Sequence, residues 1–199
     1  MIKNSNHINA LILIGGKSTR MGTDKSTLTY FDKPQIDHVF DLIKELIPKE
    51  NIYYSVRKNQ EINNKLVITD DYPNLGPFGA IYSAFKFDNT KAWLVLAIDI
   101  PYINIDVLKL LIKNRNKSCF ATTFKGNNKK YPEPLITIYE PKAFSILDNS
   151  FKNKSLSLIN ILKTNKVELI QIDNHIIQNI NLKEDFEKVR ISLNKQLNN

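Results

Sequence analysis

With 199 residues, 42% of them hydrophobic, the chain is long enough to bury a sizeable core, and one domain spanning 1–199, frayed only over about 194–199, is the expectation. Lys and Arg outnumber Asp and Glu by 28 to 20, a net charge of +8 that suits an anionic partner such as nucleotide, polyphosphate, nucleic acid or acidic lipid. The lysines are scattered without a like-charge block or aromatic-basic interleaving, which demotes nucleic acid, and a lone cysteine, Cys119, excludes a disulfide framework or a thiolate metal set.

The first apolar run, 9–14, has the short, continuous, β-branched character of a strand buried on both faces. It breaks into Gly15 and Gly16 and a polar stretch holding Arg20, Gly22 and Lys25. The stretch 35–47 then repeats apolar residues at helical spacing, with Ile36, Val39, Phe40, Ile43, Leu46 and Ile47 on one face. Strand-like runs follow at 51–56 and 66–68, a helix at 80–87, a strand at 93–98 and a helix at 105–114. A strand at 135–139, helices at 141–147 and 156–162, a strand at 167–172 and a helix at 183–197 complete the series. Strands alternating with helices predict a three-layer α/β/α, Rossmann-like fold around a mainly parallel sheet. No segment reaches the ~18 apolar residues of a membrane span, and the N-terminus lacks a signal-peptide core, so a cytoplasmic protein is expected.

In such sheets ligands bind beyond the carboxyl ends of the strands, so the residues there carry the functional signal. A glycine turn between strand and helix offers backbone N–H groups to phosphate and lets a ligand approach closely. The stretch "GGKSTRMGTDK" is neither a P-loop, because Gly22 is followed by Thr23 and Asp24, nor a G-x-G-x-x-G fingerprint. Its two cations and run of amides suit a triphosphate, against the plainer alternative of an ordinary turn with solvated charges. The run "WLVLAIDIP" ends in a lone carboxylate, Asp99, at the close of an apolar strand. A carboxylate placed there calls for a partner, and a hard divalent cation shared with phosphate oxygens supplies one. The competing assignment makes Asp99 the N-cap of the helix that begins near Asn104, an awkward distance for a cap.

Taken together, "LIGGKSTRMGTDKSTL", "DDYPNLGPFGAI", "LAIDIP", "PEPLITIYEP" and "NINLKED" resemble, in order and over nearly the whole chain, the molybdenum cofactor guanylyltransferases of the nucleotidyltransferase superfamily. The resemblance implies nucleotide contacts from Leu13, Ile14, Gly15 and Gly16, phosphate binding by Lys25, nucleoside binding by Asp70, and a joint magnesium and nucleotide role for Asp99. It also implies GTP as donor, molybdopterin carrying molybdenum as acceptor, Mg2+ as cofactor, and an acceptor side near Asn179 and Asn181. Transient contact with cofactor-maturation proteins or apo-molybdoenzymes follows from the same likeness. Arg57 stands where many members carry Asn. Close relatives make cytidine or other dinucleotides with the same loop, so CTP, or a sugar or alcohol phosphate acceptor, is the alternative within this chemistry. A silent nucleotide-binding delivery protein is the alternative outside it.

Glu133, between two prolines, is either a helper for acceptor or metal or a plain turn residue. His7, His38 and His175 share no metal-ligand spacing, and Trp93 and Cys119 read as core. No side-chain nucleophile is evident, which fits direct attack by an acceptor phosphate with Lys25, Arg20 and Asp99 as the catalytic charges.

Overall fold

All six apolar runs become strands, and a seventh joins them that the apolar pattern does not mark. The computed structural model describes residues 7–14, 33–58, 60, 62–180 and 189. Among these, the strands are β1 (Ile8–Leu13), β2 (Ile52–Val56), β3 (Leu66–Thr69), β4 (Ala92–Ala97), β5 (Ala121–Gly126), β6 (Ile136–Tyr139) and β7 (Val167–Ile172). The helices are α1 (Gln35–Lys44), α2 (Pro77–Phe87), α3 (Ile105–Lys113), α4 (Ala143–Lys152) and α5 (Leu158–Thr164). The expected helix at 183–197 lies outside the described residues except Val189, which is helical and buried.

The strands form one sheet in the order β3-β2-β1-β4-β6-β5-β7. Every pairing is parallel except those of β6, which runs against both β4 and β5. The central strands β1 and β4 are buried at every position, and Trp93 donates its indole N–H to the Asp88 carbonyl at 2.8 Å from within the core. Fully burying side chains such as Leu94, Val95 and Leu96 is worth ~1.5–3 kcal/mol each, which makes this pair the anchor of the sheet.

Two runs expected to be buried on both faces are not. β3 exposes Leu66 and Val67, and β7 exposes Leu169, because both stand at the sheet's edges. Chain order reverses at the β1–β4 junction, since β2 and β3 extend one way from β1 while β4 lies on its other side. A reversal of this kind is where doubly wound sheets form the crevice that takes their ligands, here the carboxyl ends of β1 and β4.

Candidate active site

At the end of β1 the backbone carbonyl of Leu13 accepts from the N–H of Ile98 at 3.3 Å, tying the first strand's exit to the turn that carries Asp99. Leu13 and Ile14 are both buried there. Gly15, Gly16, Arg20 and Lys25 lie outside the described residues.

Asp99 follows β4 in a turn and is half-buried, with Oδ1 shut off from solvent. It does not cap α3. The side chain of Asn104 performs that task, accepting from the N–H groups of Asp106 at 3.1 Å and Val107 at 3.0 Å. The cap interpretation of Asp99 is thereby removed, and its carboxylate remains at the crevice.

Glu133 comes to the same place by another route. Its segment precedes β6, and because β6 is reversed, its start lies beside the end of β4: Ala97 N–H donates to the Leu135 carbonyl at 3.1 Å. The Glu133 carboxylate accepts the Leu135 N–H at 3.1 Å through Oε1. Burial pushes its pKa up; Lys129 opposes the shift and the charge of Asp99 adds to it. The two carboxylates therefore share one electrostatic environment.

The segment after β7 closes over this turn. Ile180 N–H donates to the Asp99 backbone carbonyl at 2.8 Å, which sets half-buried Asn179 beside the Asp99 turn. Asn181 is outside the described residues. Lys129 donates to the Ile177 carbonyl at 3.4 Å, and His175 meets Tyr102 edge to face at 5.9 Å.

Asp70 stands across the crevice at the end of β3. Its N–H donates to Val56 O at 2.8 Å, and its Oδ1 accepts the Tyr72 N–H at 2.8 Å. Burial raises its pKa, as does neighbouring Asp71 to a lesser extent, whereas Arg57 counteracts them. Arg57, the departure from the resembling pattern, is thus within electrostatic reach of Asp70. Gly76 has φ +58°, a conformation suited to glycine, and turns the chain from the Pro73–Leu75 helical turn into α2.

The structure thus brings together Leu13, Ile14, Asp99, Glu133 and Asn179 around the ends of β1 and β4, with Asp70 and Arg57 flanking them beyond β2 and β3. Sequence reasoning did not single out Thr123, Thr137, Tyr139 or Lys129. Thr137, a threonine inside the apolar run at 135–139, was the available signal. Among the described residues no group of three or more His, Cys, Asp or Glu is placed to hold a metal, and no helix is long and apolar enough to cross a membrane. Two carboxylates nevertheless suit a magnesium ion, which takes few protein oxygens and keeps phosphate and water as its other ligands.

Comparison with known proteins agrees with this fold. The model of the MobA-like NTP transferase domain matches residues 10–165. A probable molybdenum cofactor guanylyltransferase from Methanocaldococcus jannaschii is 31% identical, over 89% of this chain and 96% of its own length. The molybdenum cofactor biosynthesis bifunctional protein of a Synechocystis strain is 29% identical over 90% of this chain, which spans only 52% of that longer protein. Among solved structures, molybdopterin-guanine dinucleotide biosynthesis protein A from Archaeoglobus fulgidus superposes with a TM-score of 0.74 at 22% identity, covering 94% of this chain and 99% of that one.

Proposed function

The chain belongs to the MobA-like NTP transferase family, and from that membership we propose that it transfers GMP from GTP to the terminal phosphate of molybdenum-bearing molybdopterin. The products are pyrophosphate and the guanine dinucleotide form of the cofactor. The observation that carries the proposal is the meeting of Asp99, Glu133 and the Asn179–Ile180 segment at the β1–β4 crevice, joined by the hydrogen bond from Ile180 to Asp99.

In this reading an acceptor phosphate oxygen, already ionised at neutral pH, attacks the α-phosphorus in line. The bond to the bridging oxygen breaks, and pyrophosphate leaves with the electron pair, so no general base is required. The chain's work is to position and to balance charge. Leu13, Ile14, Gly15 and Gly16 contact the nucleotide, Asp70 helps hold its nucleoside, and Lys25 binds its phosphates, with Arg20 adding a second positive charge. Asn179, Asn181 and Glu133 border the acceptor. Asp99 would hold a magnesium ion, which would supply further neutralisation of phosphate charge. We assign all 199 residues to one cytoplasmic nucleotidyltransferase domain that meets maturation proteins or apo-molybdoenzymes only transiently and needs neither nucleic acid nor membrane.

The test is incubation of the protein with magnesium, molybdopterin and GTP, CTP or ATP in parallel, with mass detection of the dinucleotide. The GTP product should predominate by at least ~10-fold, or about 1.4 kcal/mol. A CTP preference would replace the guanylyl assignment with a cytidylyl one, and absence of any dinucleotide would refute nucleotidyl transfer.

A further inference from the structure

The turn that carries Glu133 is held by a polar network inside the sheet. Thr123 of β5 and Thr137 of β6 are register partners, and both are fully buried. Each hydroxyl oxygen lies 2.6 Å from the Glu133 backbone carbonyl, and the two are 2.7 Å from each other. A threonine hydroxyl has one proton to donate. The triangle is therefore best satisfied as a relay in which Thr137 donates to Thr123 and Thr123 donates to the carbonyl. The remaining groups of the turn are anchored as well. Glu133 N–H donates to Phe124 O at 2.8 Å, Tyr139 donates its hydroxyl to Pro134 O at 3.0 Å, and Leu135 O accepts from Ala97 N–H at 3.1 Å.

We infer that the Thr123–Thr137 hydroxyl pair is a positioning device for nucleotidyl transfer, fixing the Pro132–Leu135 turn so that the Glu133 carboxylate stands beside Asp99. The inference rests on the proposed function for its catalytic consequence, but not for its structural one. The sequence of anchors runs from the pair to the Glu133 carbonyl, through Leu135 to Ala97, the last residue of β4, and so to the turn that carries Asp99. An ordinary hydrophobic turn would leave Glu133 free to swing. Here every backbone carbonyl from Glu133 to Leu135 has a donor.

The geometry also dictates redundancy. In Thr123→Val the Thr137 hydroxyl is already 2.6 Å from the carbonyl and takes over the donation. In Thr137→Val the Thr123 bond simply persists. Only the double variant orphans the carbonyl, so the two substitutions should be strongly non-additive. Thr122→Val is the matched control. Thr122 lies on the opposite face of β5, where its hydroxyl accepts the Asn116 N–H at 2.9 Å, so its loss destabilises the same strand without touching the turn.

The experiment measures amide hydrogen exchange at Glu133, Leu135 and Ala97 alongside steady-state kinetics, in wild type, both single variants, the double variant and the control. In the double variant exchange at these amides should rise by roughly tenfold or more, with little change in the singles or the control. The double variant's kcat should fall on the order of 10- to 100-fold with KM for GTP nearly unchanged. Double Thr→Ser substitution, which keeps both hydroxyls, should restore both readouts. Should the double Val variant not fold, Tyr139→Phe removes one anchor of the same turn and should raise exchange at Leu135 and lower kcat by a few fold. Unchanged exchange in a folded double variant overturns the inference whatever the activity. Raised exchange with wild-type kcat overturns its catalytic half. Raised exchange in a protein whose wild type makes no dinucleotide leaves the device standing as structural and refutes the functional reading instead.

Discussion

Gly79 sits in the first turn of α2, where a glycine is ordinarily a weakness. Replacing an exposed helical glycine by alanine stabilises by ~1 kcal/mol. Here a Cβ on residue 79 would lie 2.2 Å from the Tyr72 carbonyl oxygen, 3.0 Å from its carbon and 2.9 Å from Asp70 Oδ1. The first two contacts are with backbone, so rotating a side chain cannot relieve them. The Asp70–Tyr72 turn has to move by roughly an ångström, and overpacking of that kind costs ~1–3 kcal/mol, enough to cancel or exceed the gain in helix propensity. For a chain of this size each 1 kcal/mol is ~2–4 °C in Tm, so Gly79→Ala should lower Tm by up to about 8 °C. The displacement falls on a carboxylate assigned to the nucleoside, so GTP affinity should drop by about tenfold, whereas Ser83→Ala, which removes the hydroxyl bonded to the Asp71 N–H at 3.1 Å, should weaken it less. Thermal unfolding and equilibrium GTP binding on the two variants decide the matter. A Gly79→Ala protein that is more stable than wild type and binds GTP normally would refute the close-packing argument.

Three further outcomes follow from the same structure. Asp99→Asn should retain the fold but lose ~10² to 10³ in turnover, since one preorganised charge contact is worth about 3 kcal/mol, and a fully active variant in a dinucleotide assay would remove Asp99 from the mechanism. Arg115 makes a bidentate ion pair with Glu140 at 2.7 and 2.8 Å, with side chains only 3% and 2% exposed; Arg115→Met should cost ~3–5 kcal/mol in denaturant unfolding by stranding a buried carboxylate, and adding Glu140→Leu should recover most of it. Burial, reinforced by the charge of Lys33 and opposed by Asp41, lowers the His38 pKa from 6.5 to about 4. The unfolded chain therefore binds the extra proton between those values, stability falls as pH drops through that window, and His38→Gln should flatten this part of the stability profile in pH-dependent unfolding.

The parts of the fold that were legible in the sequence are those where burial writes its own pattern. β1 and β4 are buried at every position, and their continuous apolar runs mark them to within one residue of their bounds. β5 was missed because "ATTFKG" carries two threonines and a lysine, and its threonines are buried for hydrogen bonding, a reason hydrophobicity does not encode. The edge positions of β3 and β7 were equally hidden, since an exposed Leu66 and a buried Leu94 are the same letter until the strand order is known. Motifs at the strand ends flagged Asp70 and Asp99 directly. The ties from Ile180 to Asp99 and from Thr123 to Glu133 join residues 81 and 10 positions apart, and only the folded sheet puts them in contact.

The placement of Glu133 shows why the reversed strand matters for chemistry. In a wholly parallel sheet every residue just before a strand lies at the amino end, away from the ligand crevice. β6 runs against β4 and β5, with Leu96 opposite Ile136, so the residues leading into it arrive where β4 leaves off. The chain thereby adds a second carboxylate to a crevice edge that β4 alone would supply with one. Reversal also makes β5 and β6 antiparallel neighbours, which puts Thr123 directly across from Thr137 and lets both hydroxyls reach the same carbonyl. One topological choice thus delivers the acidic residue and the pair of donors that hold its turn, while β7, parallel to β5, leads into the 173–180 segment whose Ile180 N–H donates to the Asp99 backbone carbonyl.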